Sequence, residues 1–320
     1  MDQDHSGFDA YDPARAADAL KPIGIFDSGL GGLTVARAIA RELPHESILY
    51  LGDTKRCPYG PRDQAEVRLF VRQVGAWLAS HEAKLIVIAC NTATAAGLDV
   101  LQRSLDVPVI GVITPGARAA IQATRARRVG VLATQGTVDS KAYVRAIKAL
   151  DAGVRVWQEA APRFVEIVER ELVNGDRLTQ DWMRNREVFD TPEVHAEAER
   201  IAAPLREAGV DTVVLGCTHF PLIARQVREA MGDNVRIVSS AEETCREVRE
   251  TLERRGELVS ADSADHGVLG EPFYRFATTS DDITAFAVSG KFIFGHQLDS
   301  IEHVNLDAVE PLPEVDELAD

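Results

Sequence analysis

The sequence predicts an α/β protein with two doubly wound α/β domains, mainly parallel sheets, and an active site in the cleft between the domains. Short apolar runs alternate along the chain with amphipathic stretches of helical length, and this alternation is typical of βαβ units in parallel sheets. Some runs, such as residues 85–89, are apolar at every position, which indicates strands buried on both faces. Because the predicted strands are too numerous for one comfortable sheet, we expect two sheets.

The individual elements follow from the period of the apolar residues and from the turn residues that bound them. Strands are predicted at residues 23–26, 48–51, 85–89, 109–112, 129–133, 154–158, 213–215 and 236–238. Helices are predicted at residues 33–42, 64–80, 93–104, 141–150, 195–208 and 241–255. Residues 174–192 are polar and have no clean period, so a surface loop, a short helix and a lid are all open interpretations.

A break near Pro115 and a return crossing near residues 232–236 divide these elements into two predicted domains. The first domain comprises residues 22–115 and about 233–306, and the second comprises residues 116–232. Residues 1–21 are expected to be a disordered or extended N-terminal tail. Residues 307–320 are expected to be an acidic, proline-interrupted tail without fixed structure.

Composition and charge exclude several classes of function. The chain has 320 residues, a hydrophobic fraction of 45% and a formal charge of −15, so we expect a globular protein that does not bind nucleic acid directly. No apolar run has the roughly 18 residues that a membrane helix needs, and the N-terminus does not resemble a secretory signal. The expected location is therefore the cytoplasm, without membrane association. A small anionic substrate remains compatible with the negative charge, because backbone N–H groups can bind it locally.

Two cysteines, Cys90 and Cys217, each end a predicted buried strand and precede small polar residues and a helix or turn. The carboxyl ends of strands are where open α/β sheets bind ligands, and a helix N-terminus favours a thiolate. Either cysteine alone is equally well interpreted as a buried core thiol. The same context twice, once in each predicted domain, favours a functional pair. Cys57 and Cys245 lie in other contexts and are interpreted as incidental, and the absence of a CxxC pair argues against a zinc site.

Two thiols suit the inversion of a stereocentre that bears a hydrogen. One thiolate removes the proton from one face, a thiol returns a proton to the opposite face, and the reverse reaction exchanges their roles. Neighbouring groups must then hold the two thiols in different protonation states.

The N-terminal motif, residues 25–34, is a strand followed by a glycine-rich turn and a helix, which is the layout of an anion-binding turn. A dinucleotide site is one interpretation, with Asp53 in the place of a ribose-binding acid. However, Thr34 replaces the third glycine of the GxGxxG pattern. We therefore favour a role for Asp27 in tuning a protonation state or in contacting an ammonium group.

Three further features have both a functional and a structural interpretation. His219 is either a structural residue whose ring donates a hydrogen bond within the protein, or a partner that stabilises a thiolate or protonates a carboxylate. Residues 52–62, which include Tyr59, are either part of a binding site or a plain surface turn. Thr134 and Thr137 are either hydroxyl donors to a ligand or, for Thr137 in particular, a helix cap.

Taken together and in this order, these motifs resemble the glutamate racemase family over residues 22 to 306. The motifs that carry the resemblance are FDSGLGGLTV at 26–35, PYGPR at 58–62, ACNTAT at 89–94, ATQGTV at 133–138 and LGCTHFPL at 215–222. The resemblance implies that Cys90 handles the proton on the D-glutamate side and Cys217 the proton on the L-glutamate side. It also implies that Asp27 and His219 are catalytic helpers of the adjacent thiols. The residues implied to hold the substrate are Asp27, Ser28, Tyr59, Gly60, Asn91, Thr92, Thr137, Thr218 and His219.

The resemblance carries further expectations. It implies catalysis without metal or pyridoxal phosphate, and a role in supplying D-glutamate for peptidoglycan. We also expect a homodimer. Racemisation of aspartate is the related alternative, and because some relatives inhibit DNA gyrase, a partner-binding regulator is a second class of function. The N-terminal extension resembles that of members activated by a cell-wall precursor, but its length alone predicts no regulation.

Overall fold

The computed structural model of the chain describes residues 17–173, 186–259 and 271–314. Within these ranges the strands form one sheet of six and one sheet of four, and all their pairings are parallel. The α/β class with two parallel sheets is therefore confirmed. Expectations for residues 1–16, 174–185 and 315–320 lie outside the described residues.

The larger sheet has the strand order β10-β9-β2-β1-β3-β4. Its strands are β1 (Ile23–Asp27), β2 (Ile48–Gly52), β3 (Leu85–Ile88), β4 (Val109–Gly111), β9 (Tyr274–Thr278) and β10 (Ile301–His303). The smaller sheet has the order β6-β5-β7-β8. Its strands are β5 (Arg128–Ala133), β6 (Arg155–Ala160), β7 (Thr212–Gly216) and β8 (Arg236–Ser239).

Helices connect most of the consecutive strands, as the parallel pairing requires. In chain order they are α1 (Leu33–Glu42), α2 (Gln64–Ser80), α3 (Asn91–Ser104), α4 (Ile113–Ala123), α5 (Gln135–Ser140), α6 (Ala142–Leu150), α7 (Pro162–Val173), α8 (Pro192–Glu207), α9 (Ala224–Met231), α10 (Ala241–Arg255) and α11 (Ile283–Phe294). Short 3₁₀ helices lie at Thr54–Arg56, Arg186–Phe189, Phe220–Ile223 and Leu306–Ala308.

The central strands are buried along their whole length. Every residue of β1, β3 and β7 is buried, whereas the edge strand β6 is only partly buried. One apolar cluster contains both Val87 of β3 and Leu215 of β7, so the core is continuous between the two sheets. The carboxyl ends of β1, β3 and β7, where Asp27, Cys90 and Cys217 lie, are thus held by packed strands.

Two features of the expected domain boundaries differ from the structure. Strand β8 pairs with β7, with Arg236 opposite Thr212, so the chain has not yet returned to the first sheet at residues 233–239. The return crossing follows β8 and includes α10, which packs against both α1 and α4. The expected break at Pro115 falls inside the first turn of α4, where proline is tolerated because the first N–H groups of a helix have no partner within it. The division into two domains stays a prediction.

The expectation of an unstructured tail from residue 307 is wrong as far as residue 314. Leu312 N donates to Arg72 O of α2 over 3.4 Å, and Glu314 forms a salt bridge of 2.9 Å with Arg68. Arginines on α2 thus neutralise the acidic segment. At the other end, Ala19 O accepts a hydrogen bond of 2.6 Å from Lys84 Nζ.

Several elements were absent from the sequence-based prediction, among them β9, β10, α7, α9 and α11. Within residues 186–192 the chain forms a short 3₁₀ helix, and α8 begins at Pro192. Val188 and Phe189 of that 3₁₀ helix are each 1% exposed, so this part of the polar stretch is packed and is not a surface loop.

Candidate active site

Cys90 lies two residues after the last residue of β3 and is the N-cap of α3. Its Sγ accepts a hydrogen bond of 3.4 Å from Ala93 N and lies 3.8 Å from Ser28 Oγ. Burial of the thiol raises its pKa to about 12, and the nearby Asp27 carboxylate adds to this effect. Cys90 is therefore a neutral thiol at neutral pH, ready to give a proton.

Cys217 follows β7 in the corresponding place of the smaller sheet. Its side chain is buried, and its Sγ lies 3.6 Å from Nδ1 of His219. The 3₁₀ helix Phe220–Ile223 begins directly after this histidine. The sequence thus places a thiol and an imidazole side by side, and the functional interpretation of His219 fits its position.

Glu169 on α7 completes this side of the site, although sequence reasoning did not identify it. Its Oε1 lies 2.5 Å from Nε2 of His219. Burial by itself would lower the pKa of His219, but the Glu169 carboxylate outweighs that effect and holds the pKa well above its usual range. In turn, burial opposes ionisation of Glu169, yet His219 keeps the carboxyl pKa below its ordinary value. The two side chains form an imidazolium–carboxylate pair.

Asp27 is fully buried at the end of β1. Its Oδ2 accepts a hydrogen bond of 3.1 Å from Gly29 N, and its Oδ1 accepts one of 3.2 Å from Thr218 Oγ1. Burial raises the pKa of this carboxyl, which the positive His219 partly offsets. Asp27 thus hydrogen-bonds the residue that follows Cys217, while its charge also raises the pKa of Cys90.

Other parts of the protein pack closely against the glycine-rich turn after β1. A Cβ on Gly31 would lie 2.5 Å from Thr218 Oγ1, and one on Gly32 would lie 2.4 Å from Asp27 Cβ. Tyr50 donates a hydrogen bond of 2.7 Å to Gly29 O. The glycines therefore allow the turn after β1 to approach the Cys217 segment closely. This close packing explains the glycines without a bound dinucleotide.

Hydroxyl and amide groups from both sheets surround the thiol of Cys90. Thr92 Oγ1 lies 2.8 Å from Thr134 Oγ1 and 3.3 Å from Thr137 Oγ1. Thr134 caps α5 by accepting from Thr137 N, so the capping role belongs to Thr134. Asn91 Oδ1 accepts a hydrogen bond of 2.8 Å from Tyr143 Oη.

Tyr59 and Gly60 belong to a packed loop and not to a plain surface turn. Tyr59 is 1% exposed and its hydroxyl donates to Asp53 Oδ2. Gly60 O accepts a hydrogen bond of 2.9 Å from Gly136 N. This loop therefore connects the end of β2 to the smaller sheet.

One small cavity brings these groups together. About 20 Å³ of it is open to the centre of a water molecule, which is space for about one water. The residues that line it are Ser28, Pro58, Tyr59, Gly60, Cys90, Asn91, Thr92, Thr134, Val165, Cys217, Thr218 and His219. Of the residues expected at the site, Asp27 and Thr137 lie behind this lining. Pro58 and Val165 line it without having been expected to bind, and Thr134, one of the two candidate hydroxyl donors, lines it as well.

A larger cavity of about 860 Å³ lies between α4, β8 and α9. No cysteine or histidine lines it, so the small cavity with its two thiols is the candidate active site. Among the residues that the structure describes, no group of three or more histidine, cysteine or acidic side chains could hold a metal ion. In those same ranges no helix has the length and apolar character required to cross a membrane.

The fold and the two strand-end thiols define a class of isomerase. The family model described as Asp/Glu/Hydantoin racemase matches residues 31–248, and the chain belongs to this family. It is a racemase, and within the family its similarity is to the glutamate racemases.

Both sequences and solved structures carry this similarity. A glutamate racemase of Corynebacterium diphtheriae is 43% identical over 275 residues, which are 86% of this chain and 95% of that protein. The structure of a glutamate racemase isoform from Bacillus anthracis has a TM-score of 0.78 and 40% identity, covering 89% of this chain and 98% of the other. The glutamate racemase of Francisella tularensis in complex with D-glutamate has a TM-score of 0.77 and 28% identity, covering 91% and 99%.

Proposed function

We propose that the protein interconverts L- and D-glutamate by a two-base transfer of the Cα proton between Cys90 and Cys217, without metal or organic cofactor. The observation that carries this proposal is that both thiols line one cavity, each from the carboxyl end of a central strand in a different sheet. A substrate held between them presents opposite faces of its Cα to the two sulfur atoms. The similarity to glutamate racemases supports glutamate as the substrate.

In the direction from L- to D-glutamate, the Cys217 thiolate takes the Cα proton and the Cys90 thiol gives its own proton to the opposite face. The neutral Cys90 thiol, with its raised pKa, is the matching acid for this direction. His219 lies within 3.6 Å of Cys217 Sγ and can move a proton to or from that sulfur. After one turnover Cys90 is the thiolate and Cys217 the thiol, so the reverse reaction starts from that state.

The carboxylates of the substrate need hydrogen-bond donors, and the cavity provides them. Cys90, as N-cap, places the free N–H groups of Asn91 and Thr92 at the start of α3, where an anion is favoured. We assign the remaining contacts to the residues that the resemblance implies. These are Ser28, Tyr59, Gly60, Thr137, Thr218 and His219, with Asp27 acting on the ammonium group from behind Ser28.

The cavity is too small for a bound glutamate, since it has space for about one water. The walls of the site must therefore separate to admit substrate and close over it. Closure removes water from around the thiols, which strengthens every electrostatic interaction in the site.

We further assign this reaction to the supply of D-glutamate for peptidoglycan, in a cytoplasmic enzyme. A homodimer and an interaction with DNA gyrase stay predictions. No feature of the site described above favours the gyrase interaction over racemisation.

The test is the exchange of the α-proton of L- and D-glutamate in deuterium oxide, followed by NMR without added cofactor. We expect both enantiomers to lose the α-proton signal, and chiral chromatography to show interconversion. The same measurement with L- and D-aspartate tests the alternative substrate. If Cys90→Ser or Cys217→Ser kept wild-type racemisation in both directions, the two-base proposal would be wrong.

A further inference from the structure

We infer that Arg56 is a positioning residue for the substrate loop, defined here as residues 53–60, and that it acts through Asp53 on Tyr59. This inference rests on the proposed function, in which Tyr59 and Gly60 hold a substrate carboxylate. Arg56 itself does not line the active-site cavity.

Asp53 is a fully buried carboxylate at the end of β2. Its Oδ1 accepts a hydrogen bond of 2.9 Å from Thr279 Oγ1, and its Oδ2 accepts from both Tyr59 Oη and Arg56 Nε. Its backbone N–H donates to Asp27 O over 3.0 Å. Asp53 thus joins the end of β1 to the loop that carries Tyr59.

Arg56 is held on three sides. Its Nε lies 2.6 Å from Asp53 Oδ2, and its Nη1 donates to Gln73 Oε1 over 2.6 Å. The guanidinium carbon lies 4.0 Å from the centroid of the Phe70 ring, and the side chain is 13% exposed. Since Phe70 and Gln73 are neighbours on one face of α2, the arginine fixes the loop to this helix.

The same phenylalanine also contacts the tyrosine. The ring centroids of Tyr59 and Phe70 are 5.4 Å apart, so Phe70 packs against both Arg56 and Tyr59. Burial and the Asp53 carboxylate raise the pKa of Tyr59 well above its usual range, and its hydroxyl therefore remains a donor to Asp53. Loss of the Arg56 cation would leave the buried Asp53 carboxylate without its salt-bridge partner, and this is costly enough to displace the carboxyl from its position. Tyr59 would then lose its fixed acceptor, and Gly60 would lose its fixed position.

Arg62 offers a matched control on the same segment. Its guanidinium lies 5.4 Å from the same Phe70 centroid, but its carboxylate partner is Glu66 on the surface. Its Nε also donates to Arg56 O over 2.9 Å, so Arg62→Ala removes a cation next to Phe70 and one backbone contact of the loop, but leaves the contacts of Asp53 with Arg56 and Tyr59 in place.

The test compares Arg56→Ala, Arg56→Lys and Arg62→Ala, all as full-length protein, by steady-state racemisation of both enantiomers. Loss of a contact that stabilises the bound substrate and the transition state equally raises KM and leaves kcat unchanged. We expect Arg56→Ala to raise KM by about 10-fold or more, the loss expected for a charge-assisted contact, with a smaller rise for Arg56→Lys. Because L- and D-glutamate have equal free energies, kcat/KM must fall by the same factor for both, and with kcat unchanged the two KM values rise equally. Arg62→Ala should keep the wild-type KM.

A purely structural role would lower the yield of folded enzyme and its Tm without changing the KM of the folded fraction. Guanidinium ion added to Arg56→Ala should bring KM back towards the wild-type value. The inference is overturned if KM of Arg56→Ala stays at the wild-type value or if Arg62→Ala raises KM equally. If Arg56→Ala does not fold, Arg56→Lys decides by the same criterion. A wild-type protein that exchanges no α-proton would refute the proposed function instead, so the two failures are distinguishable.

Discussion

Nε2 of His219 lies 2.5 Å from Oε1 of Glu169, and this contact connects the segment after β7 to helix α7. His219 is buried and Glu169 is partly buried, so an unpaired charge at either side chain would be unfavourable. The pair therefore keeps a cationic imidazole beside Cys217, although burial alone would favour the neutral ring.

The first prediction concerns this pair. Glu169→Gln removes a carboxylate that raises the pKa of His219, so the lowering effect of burial is opposed less strongly and the pKa falls. If the imidazolium is the active form, the alkaline limb of the profile of kcat/KM against pH moves to lower pH. We also expect a loss of roughly 10- to 100-fold in kcat, which is less than the roughly 100- to 10,000-fold that an acid–base group itself contributes. Glu166→Gln, on the exposed side of the same helix, is the control and should keep the wild-type profile.

The second prediction separates the two thiols. In Cys90→Ser, Cys217 still faces the L enantiomer, so it can remove and return the α-proton on one face without inversion. We expect this variant to exchange the α-proton of L-glutamate in deuterium oxide while D-glutamate stays unlabelled, and Cys217→Ser to show the reverse. Equal exchange of both enantiomers in either variant would contradict the assignment of faces. Cys245→Ser, at a buried thiol outside the cavity lining, should racemise as the wild type does.

The third prediction concerns the stability of the folded protein. Burial raises the pKa of Asp27 above the ordinary value of 3.8, so the folded chain binds this proton more tightly than the unfolded chain does. The resulting stability is complete below the ordinary pKa and is lost as the pH rises through the folded pKa. At neutral pH the charged carboxyl therefore opposes folding. Asp27→Asn should therefore raise the free energy of unfolding at neutral pH.

Urea denaturation across a pH series measures this effect. The difference between Asp27→Asn and the wild type should shrink towards acidic pH, and the variant should racemise poorly despite its stability. A variant that is less stable than the wild type at neutral pH would refute this account of Asp27.

The fourth prediction concerns the C-terminal segment. Deletion of residues 309–320 removes the contacts of Leu312 with Arg72 and of Glu314 with Arg68. We expect the free energy of unfolding to fall by about 1–3 kcal/mol, the sum of a few hydrogen bonds and some apolar burial. Deletion of residues 315–320 alone is the reference, so that the difference between the two urea midpoints reports the contribution of residues 309–314. Equal midpoints for the two deletions would show that these residues add no stability.

The sequence was most informative where strands are buried on both faces. Continuous apolar runs located the ends of β3 and β7 to within a residue, and Cys90 and Cys217 lie within two residues of those ends. The sequence could not predict which sheet contains β8, because a short apolar run carries no information about which strand it pairs with.

Glu169 was not predicted either, because its contact with His219 depends on the fold. It lies on α7, an amphipathic helix whose charged residues resemble those of any solvated face. Only the fold brings this glutamate next to His219, which is distant in sequence. The C-terminal segment was missed because its acidic composition suggests disorder, whereas Arg68 and Arg72 on α2 supply the opposite charge.

The burial of the two thiols controls how external reagents reach them. Cys90 and Cys217 are each 6% exposed, so a reagent that alkylates cysteine can reach them only by the opening that admits substrate. The rate of their alkylation then measures how often the site opens, and bound glutamate should slow it. The closed walls also protect the two sulfur atoms from oxidants between turnovers, because oxidation of a thiol follows its exposure.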